Sequence, residues 1–236
     1  MGKGPLLHEG KAKIIYQTED ADKLIVYYKD DTTAGDGAKR AQLSGKGPLS
    51  LKISDYFFRL LAKEGVRTHF LETLNEREML VEKVEIIPLE VVVRNIAAGS
   101  IAKRLGLTEG KPLPRTIVEF YYKDDSLGDP LVNRYHILAL GAASVEEMDK
   151  LEEEALLVNS ILEPHLLERD LILVDFKLEF GRTEQGEIVL ADEISPDSCR
   201  FWDRESQEKL DKDRFRRDMG GVAEAYSEVY RRLCEN

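Results

Sequence analysis

Between residues 171 and 182 the chain alternates with a period of two. Val174, Phe176, Leu178 and Phe180 fall on one side of the pattern, and Asp175, Lys177 and Glu179 on the other. That period predicts a half-buried strand. Same-side neighbours on a strand stand roughly 6.5–7 Å apart, so carboxylate, ammonium and carboxylate form a row. Gly181 and Gly186 mark the turn of a hairpin whose return strand ends on Asp192 and Glu193. Such a row suits a divalent cation and the phosphates it carries. The same alternation is also ordinary on the solvated face of an antiparallel sheet.

Similar apolar runs predict strands over 13–17, 24–29, 68–72, 79–83 and 86–95. Helical spacing takes over at 50–64, where Ile53, Phe57, Leu60 and Leu61 share a face and Gly65 supplies the stop. A short helix is expected from Ser100 to about Leu105. Another starts at Ser144, which forms a capping-box pattern with Glu147, and buries Met148, Leu151, Ala155, Val158 and Leu162. The last is predicted over 212–233 through Phe215, Met219, Val222, Tyr226 and Val229, weakened or bent at Gly220 and Gly221. Strands come first and helices mix with antiparallel strands later, the order of an α+β fold. The division expected is a strand-rich N-terminal lobe over 1–84 and a mixed α/β C-terminal lobe over 85–236, with a ligand cleft between them.

A chain of 236 residues has room for a sizeable core. Its net charge of −11 argues against nucleic acid as a partner, since that would need a basic footprint. Local basic residues remain free to hold a small anion. No run approaches the roughly 20 apolar residues of a membrane span, and the first residues hold no apolar stretch typical of a signal peptide. Cys199 and Cys234 are too few for a disulfide framework and lack metal-site spacing. A cytoplasmic location with free thiols is expected. His8, His69, His136 and His165 show no metal-binding spacing either.

Several segments carry candidate chemistry. In Glu9-Gly10-Lys11-Ala12-Lys13, glycine lets the backbone approach a ligand and two lysines offer point charges to phosphate. An exposed basic turn entering a strand would read the same way. The loop over 30–39 is rich in hydroxyls, carboxylates and glycines, as a substrate-binding loop or a hydrophilic turn would be. Arg94 ends a buried strand. With Ser100 and the backbone N–H groups near it, Arg94 could form a phosphate pocket, or it could pair with Glu90 on the surface. Lys123 follows interleaved aromatics and leads to Asp129, as on a cleft wall or an edge strand. Arg200 could complete an anion site. Lys212, Arg214, Arg216 and Arg217 form a basic cluster that fits the same anion or a solvated face. Cys199 has no histidine base close in sequence, and Trp202 reads as a packing anchor.

Six segments in register resemble the SAICAR synthetase family (phosphoribosylaminoimidazole-succinocarboxamide synthases). They are EGKAKIIY at 9–16, PLEVVVRNIAAGS at 88–100, EFYYKDDSLGDP at 119–130, LVDFKLEFG at 173–181, LADEISPDSCRFWD at 190–203 and DKDRFRRDMGG at 211–221. The resemblance implies an ATP-grasp-related two-lobe fold and ATP-dependent joining of carboxyaminoimidazole ribotide (CAIR) to L-aspartate. It also implies Mg²⁺ and a homodimer or other homo-oligomer. On that basis Lys11 and Lys13 would hold ATP phosphates, and Lys83 and Val84 would meet adenine through the backbone. Lys123 and Lys177 would offset charge at the reacting carboxylate. Glu179 and Asp192 would hold Mg²⁺, with Asp175 in reserve. Arg94, Ser100, Arg200 and Arg216 would bind the ribotide phosphate, with Asp129 near the imidazole. A small-molecule kinase of related fold would use the same charged row, and dependence on L-aspartate separates the two. A nucleotide sensor would bind ATP without turning it over.

Overall fold

The computed structural model describes residues 2–34 and 39–234, so residues 35–38 of the polar 30–39 loop lie outside the described residues. The chain opens with β1 (Leu6–Glu9), β2 (Lys13–Gln17), β3 (Lys23–Tyr28) and a hairpin of β4 (Asp31–Ala34) and β5 (Lys39–Gln42). Next come α1 (Lys46–Lys63), β6 (Phe70–Thr73) and β7 (Glu78–Glu82). One five-stranded antiparallel sheet results, in the order β1-β2-β3-β7-β6. Helix α1 begins four residues before the expected start. Pro48 sits in its first turn, where a missing N–H costs nothing.

The rest of the chain builds β8 (Glu85–Ile96), α2 (Gly99–Leu105), β9 (Pro112–Tyr122), β10 (Leu131–Val132), α3 (Arg134–Leu140) and α4 (Val145–Leu167). It ends with β11 (Leu171–Arg182), β12 (Ile188–Ala191), β13 (Cys199–Asp203), α5 (Asp213–Arg216) and α6 (Val222–Cys234). The second sheet is also antiparallel, in the order β10-β9-β8-β11-β12, with β13 on β11 as well. Helix α4 carries the expected capping box at Ser144 and buries Met148, Leu151, Ala155, Val158 and Leu162 in the main core.

Three expectations need correction. Gly181 lies inside β11 rather than in the turn, and β11 continues to Arg182. Val174 does not share a face with Phe176, Leu178 and Phe180. A register shift between Leu173 and Asp175 in the pairing with β13 puts Val174 in a separate cluster with Ala98 and Trp202, while Leu173 and Phe176 stay in the main core. The single terminal helix is two helices. Asp218, Gly220 and Gly221 adopt φ of 56°, 69° and 62° between α5 and α6, a left-handed stretch that no α-helix accommodates. Among the described residues no helix is long and apolar enough to cross a membrane.

Candidate active site

Strands β12 and β13 lie in tandem along the same edge of β11. The first pairs with residues 179–182 and the second with residues 171–176. The gap falls at Lys177, whose backbone N–H donates to the Ser198 carbonyl at 2.8 Å. Residues 192–198 leave the sheet there and carry Asp192, Glu193, Asp197 and Ser198 into a cleft of about 420 Å³. Asp192 makes the exit with a φ of 61°.

Lys11, from the turn after β1, and Lys13 of β2 line the cleft, as do Val84, Lys123, Asp129, Lys177 and Glu179. Lys83 is not among the lining residues; its N–H donates to Asp22 O at 2.8 Å, and its neighbours Glu82 and Val84 face the cleft instead. Ile15, Leu24, Val26, Val81 and Ile86 give one end an apolar lining suited to a planar ring. At the rim Lys11 pairs with Asp125 at 2.7 Å, tying the β1–β2 turn to the segment after β9.

Charge is concentrated at the other end. Lys177 donates to Glu179 at 2.6 Å and Glu90 at 3.1 Å, and lies 3.7 Å from Asp192. Lys123 donates to the second oxygen of Glu179. Lys13 donates to Asp192 and lies 2.9 Å from Glu193. Burial opposes ionisation of Asp192, but the ammonium groups of Lys13 and Lys177 outweigh it and hold the carboxyl well below its usual range. Burial likewise works against charge on Lys13 and Lys177, and their carboxylate neighbours more than compensate, so both stay cationic. Glu90 goes the other way, because burial lifts its pKa further than Lys177 lowers it. Three ammonium groups thus satisfy four carboxylates, an arrangement that can trade carboxylate for phosphate oxygens when an anionic ligand enters.

The donor set fits Mg²⁺. Glu179 on β11 and Asp192, one residue past the end of the neighbouring β12, present hard oxygen ligands, with Glu90 opposite Glu179 in the β8–β11 register. Among the described residues no three carboxylate, His or Cys side chains form a ready-made metal site. Any ion held here would rely on one or two carboxylates, with phosphates and water completing its shell.

Asp175 belongs to a second cluster. Its carboxylate accepts from Arg94 at 2.7 Å and from Arg200 at 2.8 Å. Arg94 also donates to Glu119 at 2.6 Å, to the Ser100 hydroxyl at 3.0 Å and to Tyr121 at 3.1 Å. Arg200 bonds Asp213 at 3.1 Å, and Arg216 bonds the other oxygen of Asp213 at 2.5 Å. Burial opposes ionisation of Asp213, yet Arg200 and Arg216 bring its pKa down to about 2. Gly99 has a φ of 58°, and any Cβ there would lie 2.4 Å from the Arg200 guanidinium. Only glycine lets α2 begin this close to the arginines.

Of the residues named from sequence, Lys11, Lys13, Val84, Lys123, Asp129, Lys177, Glu179 and Asp192 share the cleft, whereas Arg94, Ser100, Asp175, Arg200 and Arg216 form the arginine cluster. Nothing in the sequence marked Asp197 or Glu119 as site residues, and Glu90 stood out only as a surface partner for Arg94, which instead pairs with Glu119 and Asp175 while Glu90 meets Lys177. Glu90 faces Glu179 only through cross-strand register, which neither strand reveals alone.

Comparisons with known proteins identify the family. A family model described as SAICAR synthetase matches residues 6–233. The chain is 61% identical over 233 residues to the phosphoribosylaminoimidazole-succinocarboxamide synthase of Coprothermobacter proteolyticus, covering 99% of each. The crystal structure of the enzyme of that name from Ehrlichia chaffeensis is 44% identical with a TM-score of 0.95, over 97% of this chain and 98% of that one. A SAICAR synthetase (Type-2) solved in complex with ADP is 52% identical with a TM-score of 0.95, over 98% of each chain.

Proposed function

Because the chain belongs to the SAICAR synthetase family, we propose that it condenses CAIR with L-aspartate to give SAICAR, splitting ATP to ADP and phosphate in purine biosynthesis. The observation that carries this reading is the single cleft in which Lys13, Lys123 and Lys177 alternate with Glu90, Glu179 and Asp192, beside a buried arginine cluster. A carboxylate is a poor electrophile. One of its oxygens therefore attacks the γ-phosphorus, the bond to ADP breaks, and an acyl phosphate results. The amine nitrogen of aspartate then attacks the acyl carbon, phosphate leaves, and the amine gives up its proton. Phosphoryl transfer depends on positioning and charge neutralisation, which is work for lysines rather than for a protein nucleophile. Cys199 is buried and its thiol pKa is pushed up by that burial, so it takes no part.

In this assignment Lys11 and Lys13 bind the ATP phosphates, and adenine enters the apolar end beside Val84. Lys123 and Lys177 stand at the reacting carboxylate, and Glu179 and Asp192 would hold Mg²⁺, which supplies charge neutralisation on the phosphates. Arg94, Ser100, Arg200 and Arg216 take the ribotide phosphate, with Asp175 holding two of the arginines in place and Asp129 near the imidazole. The ATP-grasp-related description, with lobes at 1–84 and 85–236, belongs to the same reading. It is supported by a cleft whose walls come from both antiparallel sheets. A cytoplasmic homo-oligomer completes it, supported by two free thiols and by the exposed Leu131, Tyr135, Leu138 and Leu140 around α3. The test supplies purified protein with ATP, Mg²⁺, CAIR and L-aspartate, and measures product mass and phosphate. SAICAR should form, with phosphate released only when both co-substrates are present. ATP turnover independent of L-aspartate would refute the ligase reading in favour of a kinase.

A further inference from the structure

The far wall of the cleft holds a cation with less company than the others. Lys212 immediately precedes α5, and the nearest carboxylate oxygen to its ammonium is Asp197 Oδ1 at 3.5 Å, longer than an ordinary hydrogen bond. That carboxylate is already engaged. Lys46, only 2% exposed, donates to Oδ2, and the buried Tyr226 hydroxyl donates to Oδ1 at 3.0 Å. The other lysines of the cleft, Lys11, Lys13, Lys123 and Lys177, each have a carboxylate oxygen at 2.9 Å or closer. Burial disfavours charge on Lys212, and Lys46 and Arg216 act in the same direction. An ammonium that is poorly hydrated and shares its counter-ion with another ammonium gains most from an added anion.

Its place in the fold says which anion. The next residue, Asp213, grips Arg200 and Arg216, so Lys212 stands where the cleft meets the arginine cluster. With nucleotide phosphates in one and ribotide phosphate on the other, the activated carboxyl lies between them. The attacking amine must come within about 3–3.5 Å of that carbon. The amino acid therefore occupies this junction, and it brings two carboxylates.

We propose that Lys212 binds a carboxylate of L-aspartate, with Asp197, Lys46 and Tyr226 forming the support that holds the ammonium in position. The proposal rests on the ligase reading above. Replacing the ammonium by a neutral amide, Lys212→Gln, should raise the KM for L-aspartate on the order of 10- to 100-fold, the usual worth of a charged hydrogen bond. The KM values for ATP and CAIR should stay within about two-fold, and Lys212→Arg should recover part of the loss. A purely structural role would instead impair all three substrates together. On the wild-type enzyme, reductive methylation read by mass spectrometry gives an independent measure that needs no variant. L-Aspartate, but not L-alanine, should slow modification of Lys212 when ADP and CAIR are bound. Unchanged aspartate KM in Lys212→Gln, equal losses for all substrates, or unprotected Lys212 would each overturn the proposal. Absence of SAICAR from the wild-type assay would instead strike the ligase reading beneath it.

Discussion

Gly181 offers a direct measure of how tightly the apolar end of the cleft, proposed above to take adenine, is built. It sits in β11 opposite Ile86, and a Cβ placed on it would lie 2.4 Å from Val84 Cγ2 and 2.7 Å from Val84 Cβ. Carbon atoms settle at about 3.5–4.0 Å, so Gly181→Ala must drive Val84 back by on the order of 1 Å. Overpacking of this kind costs about 1–3 kcal/mol. For a chain of this length that lowers Tm by roughly 2–12 °C. Val84 lines the cleft, so the same displacement should raise the KM for ATP on the order of 10-fold while leaving those for CAIR and L-aspartate near wild type. Gly186→Ala is the control. It has a φ of 81° and open space around its Cβ position, so it costs roughly 1–2 kcal/mol of backbone strain without touching Val84. Differential scanning fluorimetry and initial-rate kinetics on both variants decide the matter. Wild-type Tm and ATP kinetics in Gly181→Ala would refute the contact. An equal rise in ATP KM in Gly186→Ala would show that lost stability, rather than a moved Val84, is responsible.

Glu179→Gln keeps the shape but removes the charge shared by Lys123 and Lys177. It should raise the Mg²⁺ concentration for half-maximal turnover on the order of 10- to 100-fold, and near-normal turnover at low Mg²⁺ would defeat the metal assignment. Lys13→Ala leaves Asp192 and Glu193 without their common cation. It should raise the KM for ATP or abolish turnover, and unchanged ATP kinetics would remove Lys13 from the site. Burial, with Asp213 beside it, lifts the pKa of Asp211 to about 7, against about 3.9 in an unfolded chain. Its contribution to stability is therefore full below about pH 4 and lost as pH rises through 7. Asp211→Asn stays neutral throughout, so its Tm relative to wild type should climb from pH 5 to pH 8. A difference flat across that range would contradict the assigned shift.

Periodicity made β11 legible because one face is apolar, and the capping box at Ser144 made α4 legible for the same local reason. What it could not reveal was created by partners distant in sequence. The displacement of Val174 comes from a register shift against β13, a strand that arrives 25 residues later. Most of β9 was hidden because Pro112 and Pro114 occupy its first residues, where strands tolerate proline poorly. The basic run from Lys212 to Arg217 reads as a solvated face only if its helix continues. The left-handed residues 218, 220 and 221 end that helix early, and Asp213 is buried beneath two of the arginines. Glycines 220 and 221 signalled the break; the buried aspartate under the arginines had no local signature.

Asp175, fixed to the arginines, and Glu179, in the lysine-lined cleft, are four residues apart on β11, which is roughly 13–14 Å of extended chain. Strand β8 flanks one edge of that segment, and β12 and β13 flank the other, so its length cannot stretch or shrink. The strand therefore works as a caliper. In the assignment proposed above, a ribotide would reach both jaws, whereas a free imidazole base would reach only one. On that assignment, discrimination against dephosphorylated analogues would come from backbone geometry, and swapping side chains around the ring should leave it intact.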